Sequence, residues 1–130
     1  MTGNSYALDT NIISAWLQGE IIIADKIDAA TSVFIPITVV GELYYGAQYS
    51  TKVEQNLNNI YKALSNYTLL FVDESTCKEY GLIKASLRRK GKPIPENDIW
   101  IAALVMQHNL TLATRDRHFK EVDGLLIEKW

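Results

Sequence analysis

Short apolar segments alternate along this chain with longer stretches in which apolar residues recur at helical spacing. The short segments predict five strands, at residues 6–8, 33–35, 68–72, 110–113 and 125–127. Between them, apolar positions recur about every 3.6 residues, as expected for amphipathic helices. Short buried strands that alternate with helices are typical of an α/β sandwich with a mainly parallel sheet.

The helical stretches have recognisable beginnings and ends. The first helix follows Asp9, and Thr38 is predicted to cap a helix that runs to about residue 49. A further apolar stripe covers residues 57–64. The next helix is expected from about residue 75 to Gly91, a common C-terminal stop. Asn97 is predicted to cap a helix that begins at Asp98.

Four acidic residues stand where a predicted strand ends or a helix begins: Asp9, Glu42, Asp98 and Asp116. Asp9 and Asp116 follow the first and fourth strands. If the strand order is 3-2-1-4-5, these strands are neighbours at the point where the order reverses, and ligands bind there in such sheets. Glu42 and Asp98 would enter from the first turns of two helices that face the same crevice. The pattern therefore predicts one cluster of carboxylates.

Packing alone gives no reason to gather four carboxylates. Two of them about 5 Å apart repel by about 3 kcal/mol at an effective dielectric constant near 20. Such a cluster is tolerable when some members are protonated or when a cation neutralises them. Mg²⁺ and Mn²⁺ prefer oxygen ligands and can activate water for phosphodiester hydrolysis. Each acid alone also fits a capping or salt-bridge role. The hypothesis of a metal site therefore depends on the presence of all four acids together.

Other chemistry finds little support in the sequence. The two histidines, His108 and His118, are too isolated to predict a zinc site, and His118 beside Phe119 is more typical of a packing or rim residue. No glycine-rich phosphate loop is present, which argues against a nucleotide-binding or P-loop enzyme. The chain also offers no convincing serine or cysteine nucleophile. Metal-dependent hydrolysis remains the leading hypothesis.

Length and composition predict one domain over residues 1–130, in a soluble cytoplasmic protein. At 130 residues the chain is long enough to bury a core without disulfides. The single cysteine, Cys77, excludes an intramolecular disulfide and fits a reducing compartment. The longest aliphatic run is far too short to cross a membrane, and the N-terminus lacks the features of a signal peptide.

The formal net charge of −2 hides an uneven distribution. The four clustered acids contribute −4, so the rest of the chain carries +2. Basic residues that are candidates for phosphate contacts form two groups. The first group is Arg88, Arg89 and Lys92, and the second is Arg115 and Arg117. A solvated helix end, favoured by the helix dipole, explains the first group equally well.

Several motifs occur in a fixed order along the whole chain. They read LDTNI at 8–12, GELYYGA at 41–47, NDIWIAA at 97–103, TRD at 114–116 with HF at 118–119, and a final stretch at 124–130. Any one of these motifs alone is weak evidence for a protein family. Together, at these separations, they resemble the PIN-domain ribonucleases, specifically the VapC toxins of bacterial toxin–antitoxin pairs.

The resemblance implies a three-layer α/β/α domain with five strands in the order 3-2-1-4-5. It also implies an endoribonuclease that depends on Mg²⁺ or Mn²⁺ and cleaves RNA with a metal-activated water. The resemblance assigns catalysis and metal binding to Asp9, Glu42, Asp98 and Asp116, with Asp116 in the most variable position of the family, and a supporting role to Asn11 and Thr114.

The resemblance further implies an RNA substrate, with tRNA and rRNA as candidates, a cognate VapB-like antitoxin and a homodimer. No membrane partner is expected. In the family, the tail of the antitoxin occupies a groove near the active site. Aromatic residues whose exposed parts are predicted to supply such a surface are Trp16, Tyr44, Tyr45, Tyr49 and Tyr61.

Three alternatives stay open from the sequence. A PIN-like module could bind RNA or protein without cutting, although all four acids are retained. A DNase similar to the 5′-nucleases shares the chemistry, but the chain lacks the inserted elements that thread a DNA end. A haloacid-dehalogenase-like phosphatase requires a second aspartate two residues after Asp9, and Asn11 stands at that position.

Overall fold

A computed structural model describes residues 4–130, which form five strands, six α-helices and a short 3-10 helix. The first three residues of the predicted 1–130 domain lie outside this range. In chain order the elements are β1 Ser5–Leu8, α1 Thr10–Leu17, α2 Ile21–Ala29, β2 Ser32–Pro36, α3 Ile37–Gln48, α4 Val53–Leu64, β3 Thr68–Leu70, α5 Glu74–Lys90, α6 Glu96–Gln107, β4 Thr111–Thr114, the 3-10 helix Arg117–Glu121 and β5 Leu126–Lys129.

The strands form one sheet in the order β3-β2-β1-β4-β5, which confirms the predicted order. All four pairings are parallel. The central strand β1 pairs on both sides, and Tyr6 lies opposite Val33 of β2 and Thr111 of β4. Residues 6–8 are buried, as expected for a central parallel strand that is covered on both faces.

The path of the chain distributes the helices over both faces of the sheet. The connections from β1 to β2 and from β2 to β3 progress in one direction, and the connection from β3 to β4 returns across the sheet. Because such crossovers are right-handed, α1 to α4 lie on one face, and α5 and α6 lie on the other. The contacts agree, since α1 packs against α2, α3 and α4, while α5 packs against α6. The three-layer α/β/α architecture is confirmed.

Helix α6 lies deepest in the structure because it carries almost no polar face. Ile101, Ala102, Ala103, Leu104 and Val105 are each 0% exposed. A helix that is apolar on every side is buried on every side. This packing matters for function because it fixes the first turn of α6, and with it Asp98, against the edge of the sheet.

Two predicted helix caps are wrong. Thr38 is the second residue of α3, and its hydroxyl has no hydrogen-bond partner. Strand β2 ends at Pro36, which occupies the N-cap position itself, so the helix begins without a linker. Asn97 likewise lies inside α6, because Pro95 is the N-cap and the helix begins at Glu96. In both cases a proline in extended conformation directly precedes the helix.

Helix α5 begins and ends close to the predicted positions. Asp73 and Thr76 form a capping box, in which the Asp73 side chain accepts a hydrogen bond from the backbone N–H of Thr76. At the other end Gly91 adopts a left-handed conformation with φ 67°. A glycine is favoured there because a side chain would strain this backbone.

Within residues 4–130, the helices are all too short or too polar to cross a membrane.

Candidate active site

Asp9 lies between β1 and α1, where it is the N-cap of the helix and only 4% exposed. One carboxylate oxygen accepts a hydrogen bond from the backbone N–H of Thr10 at 2.8 Å. The other accepts a hydrogen bond from the hydroxyl of Thr114, at the end of β4, at 2.6 Å. Burial raises the pKa of Asp9, and the charges of Glu42 and Asp116 add to this effect, while the two hydrogen bonds oppose it.

Glu42 lies in the second turn of α3, and the predicted first-turn position is wrong because the helix begins at Ile37. The Glu42 side chain still reaches the end of β1. Its Oε1 accepts a hydrogen bond from the Thr10 hydroxyl at 2.8 Å. Thr10 therefore links two of the predicted acids, since its backbone N–H binds Asp9 and its side chain binds Glu42.

Asp98 and Asp116 approach the same edge from two other elements. Asp98 is in the first turn of α6, as predicted, and is 9% exposed. Asp116 follows β4 and caps the 3-10 helix by accepting a hydrogen bond from the backbone N–H of His118 at 2.9 Å. The Nδ1 atom of His118 lies 3.0 Å from Oδ1 of Asp116 and 3.4 Å from Oδ2 of Asp98.

The strongest electrostatic effect of the site falls on Asp98. Its pKa rises from 3.8 to about 6. Burial is the largest cause, and the negative charges of Asp116 and Asp9 follow, while a hydrogen bond with His118 acts in the opposite direction. The ionised cluster is therefore under repulsion that a cation bound between the carboxylates would relieve.

The four acids line one cleft of about 510 Å³ at the carboxyl edge of the sheet. Its potential ligands are carboxylate, hydroxyl and amide oxygens, the set that Mg²⁺ and Mn²⁺ prefer. Asp98, Asp116 and His118 can each present one ligand atom, and these atoms lie within 4.8 Å of one another. The donor set fits a hard divalent cation. The lining residues are Asp9, Thr10, Asn11, Ser14, Ala15, Gln18, Glu20, Glu42, Asp98, Arg115 and Asp116.

Comparison with known proteins places this arrangement in a family. The sequence profile of the PIN-domain family matches residues 6–125 of this chain. The chain belongs to the PIN-domain family. Ribonuclease VapC2 of Haemophilus influenzae is 38% identical over 129 residues, which cover 96% of this chain and 97% of the relative. The tRNA(fMet)-specific endonuclease VapC of Shigella flexneri is 36% identical over 90 residues, which cover 68% of each chain. Within the family, this PIN domain therefore belongs to the VapC ribonucleases.

Solved structures agree with this assignment. The VapBC2 complex of Rickettsia felis, bound to a DNA fragment from its promoter, contains a chain that matches this PIN domain with a TM-score of 0.93. That match has 28% sequence identity and covers 97% of this chain and 98% of the other. The DNA-bound VapBC of Salmonella typhimurium matches with a TM-score of 0.92, 29% identity and the same coverage.

The two residues predicted to support the site lie beside the acids in this PIN domain. Thr114 is 2% exposed, and its hydroxyl donates to Asp9 and accepts from the backbone N–H of Asp116 at 2.9 Å. The side-chain oxygen of Asn11 accepts a hydrogen bond from the backbone N–H of Arg115 at 3.3 Å. Both residues thus connect the start of α1 to the loop after β4.

The residues predicted to contact RNA do not gather in the cleft. Arg115 lines it, but its guanidinium forms two hydrogen bonds with Glu20 at 2.8 and 3.2 Å and a third with the Trp130 carbonyl at 3.0 Å. The hydrogen bonds with Arg115 lower the pKa of Glu20. The remaining predicted contacts, which are exposed and do not line the cleft, are Arg88, Arg89, Lys92 and Arg117.

Sequence reasoning missed three residues of the site. Thr10 was visible within the LDTNI motif, but its contact with Glu42 joins positions 32 residues apart. Glu20 forms hydrogen bonds with Arg115, which lies 95 residues later in the sequence, and no local pattern indicates that pairing. His118 is expected to be a packing or rim residue; its side chain is 53% exposed, but its ring also faces two carboxylates of the site. Its place directly after the TRD motif was the available signal.

Proposed function

We propose that this chain is a Mg²⁺- or Mn²⁺-dependent endoribonuclease that hydrolyses phosphodiester bonds of RNA, and that it is the toxin of a VapBC-type pair. One observation supports metal-dependent chemistry most strongly. Four carboxylates converge on one cleft, although this arrangement is unfavourable without a cation, since burial and mutual repulsion raise the pKa of Asp98 to about 6. A fold does not keep such a cluster for stability alone. The relatives named ribonuclease VapC support RNA as the substrate.

Asp9, Glu42, Asp98 and Asp116 would hold the cation. When bound, a divalent cation lowers the pKa of a water molecule and stabilises negative charge on the phosphoryl oxygens. The chain's own contribution is to hold the carboxylates in place before substrate arrives. Thr114 fixes Asp9 through the 2.6 Å hydrogen bond, and Thr10 fixes Glu42 through the 2.8 Å hydrogen bond.

The proposed reaction is hydrolysis by direct attack of water on phosphorus. The oxygen of water forms a new bond to phosphorus and loses a proton, while the bond from phosphorus to the 3′ oxygen breaks and that oxygen takes up a proton. The products carry a 5′-phosphate and a 3′-hydroxyl. The RNA 2′-hydroxyl takes no part in bond making, so selection of RNA over DNA depends on contacts around the cleft.

Substitution of two buried acids tests the proposed function. Asp9→Asn and Asp98→Asn keep the size of each side chain and remove its charge, so both variants are expected to fold and to lose cleavage of total RNA with Mg²⁺ or Mn²⁺. Asp25 is exposed on α2, and Asp25→Asn is the matched control that should cut normally. Full activity in either Asp9→Asn or Asp98→Asn would overturn the assignment.

The same test separates the proposal from a non-catalytic module. Such a module predicts that the wild-type protein binds RNA but leaves it intact with either metal. A DNase predicts cleavage of DNA in place of RNA. Parallel incubation with total RNA, single-stranded DNA and duplex DNA therefore distinguishes the three functions.

The partners proposed for this chain follow from its relatives. Several solved relatives are VapBC complexes, which supports a cognate VapB-like antitoxin as partner. A homodimer is proposed from the family resemblance. The relative from Shigella flexneri that is named a tRNA(fMet)-specific endonuclease supports tRNA as the first substrate to test.

Three of the five aromatic residues predicted for the antitoxin surface are well exposed. Tyr45 and Tyr49 stack with ring centroids 6.1 Å apart, and they are 70% and 80% exposed, while Tyr61 is 70% exposed. Tyr44 is only 39% exposed, and Trp16 is half-buried with its ring edge-on against Tyr67. Alanine substitution of all three exposed tyrosines is expected to weaken antitoxin binding. Unchanged affinity would remove this surface from the proposal.

A further inference from the structure

His118 is a nitrogen donor aimed at two carboxylates of the proposed metal site. Its Nδ1 atom lies 3.0 Å from Asp116 and 3.4 Å from Asp98. The backbone holds the residue there, because the N–H of His118 also donates to the Asp116 carboxylate at 2.9 Å. Ligand atoms from the three residues fit within 4.8 Å of one another, which is compatible with a single ion between them.

We propose that His118 supplies a nitrogen ligand to the cation held by Asp98 and Asp116, so that this chain binds Mn²⁺ in preference to Mg²⁺. The proposal rests on the proposed function, since it concerns the same cleft. Both ions accept oxygen ligands, but Mn²⁺ is a first-row transition ion and binds a site with one nitrogen ligand more readily than Mg²⁺, which is held by oxygen ligands and its own waters. Carboxylates alone would leave the two ions less well distinguished.

The orientation of the ring fits this role. A neutral imidazole that binds metal through Nδ1 must carry its proton on Nε2. The side chain is 53% exposed, so Nε2 can donate that proton to water.

The inference predicts a difference between two metals. His118→Ala is expected to weaken Mn²⁺ binding by at least about tenfold, as expected for loss of a residue that contacts or orients a metal. Mg²⁺ binding should change little, so the preference for Mn²⁺ over Mg²⁺ falls. Isothermal titration calorimetry with each ion alone, on the full chain, measures both affinities without reference to activity.

A spectroscopic test identifies the nitrogen directly. Pulsed EPR of the Mn²⁺-loaded chain should show coupling to ¹⁴N of a coordinated imidazole. The chain has only two histidines, and His108 lies at the C-terminal end of α6, opposite the end that carries Asp98. The coupling should vanish in His118→Ala and persist in the control His108→Ala.

The outcomes separate this inference from the proposed function. Absence of ¹⁴N coupling in the wild-type chain, or an unchanged preference for Mn²⁺ in His118→Ala, overturns the role of His118 alone. Mn²⁺ and Mg²⁺ affinities that are both unchanged in Asp98→Asn would instead overturn the metal site on which the proposed function depends.

Discussion

Asp98→Asn should make the metal-free protein more stable at neutral pH, although it removes one proposed metal ligand. Asp98 is 9% exposed, and its pKa rises from 3.8 to about 6 in the folded state. One pKa unit corresponds to about 1.4 kcal/mol, so the charged carboxylate costs the fold at most about 3 kcal/mol at pH 7.5. Repulsion shared with Asp9 and Asp116 reduces the gain expected from one substitution to about 1–2 kcal/mol.

The stabilisation expected from Asp98→Asn should depend on pH. Because the pKa of Asp98 is higher in the folded state, the folded protein binds more protons than the unfolded chain between pH 3.8 and about 6. Its stability therefore falls as the pH rises through this range. Asparagine does not titrate, so the advantage of Asp98→Asn should be full at pH 7.5 and small near pH 4.

Chemical denaturation in EDTA at both pH values measures this difference. Addition of Mg²⁺ or Mn²⁺ should stabilise the wild-type protein and have much less effect on the variant. The exposed control Asp25→Asn should change the free energy of unfolding by less than about 0.5 kcal/mol. A variant that is less stable than the wild type at pH 7.5 in EDTA, by the same amount at both pH values, would refute the reasoning.

Two further substitutions test the contacts around the acids. Thr114→Val removes the hydroxyl that binds Asp9, so it should cost about 2 kcal/mol of stability at pH 7.5 and less at low pH, whereas Thr111→Val in the same strand should cost less; urea denaturation measures both. Arg115→Lys and Glu20→Gln each disrupt the same paired hydrogen bonds between the two side chains, so the double variant should melt no lower than the less stable of the two single variants. Additive losses of melting temperature would contradict a direct coupling.

Much of the fold was predictable because local patterns and sheet topology agree. Residues 6–8 and 110–113, where the first and fourth strands are predicted, are buried, so short and mostly apolar segments indicated the central strands. Helix α2, Ile21–Ala29, was not among the predicted helices. It has no side-chain cap, and Ile21 and Ile22 are 75% and 68% exposed, which obscures its amphipathic pattern.

The candidate site was predictable to the extent that Asp9, Asp98 and Asp116 stand at the ends of elements, whereas Glu42 lies in the second turn of α3. Asp9 and Asp116 follow strands whose neighbouring positions in the sheet are now confirmed. The remaining contacts are long-range. The ion pair of Glu20 with Arg115 leaves no trace in local spacing, and the TRD motif beside His118 does not indicate its approach to Asp98, because tertiary packing creates both contacts.

The most direct test of the central claim is to map the ends of RNA cut by the purified protein, with Mg²⁺ or Mn²⁺ and with EDTA. Hydrolysis at a carboxylate-held metal predicts cleavage with metal only, and products that carry a 5′-phosphate and a 3′-hydroxyl. Cleavage that persists in EDTA, or products that end in a 2′,3′-cyclic phosphate, would contradict the account.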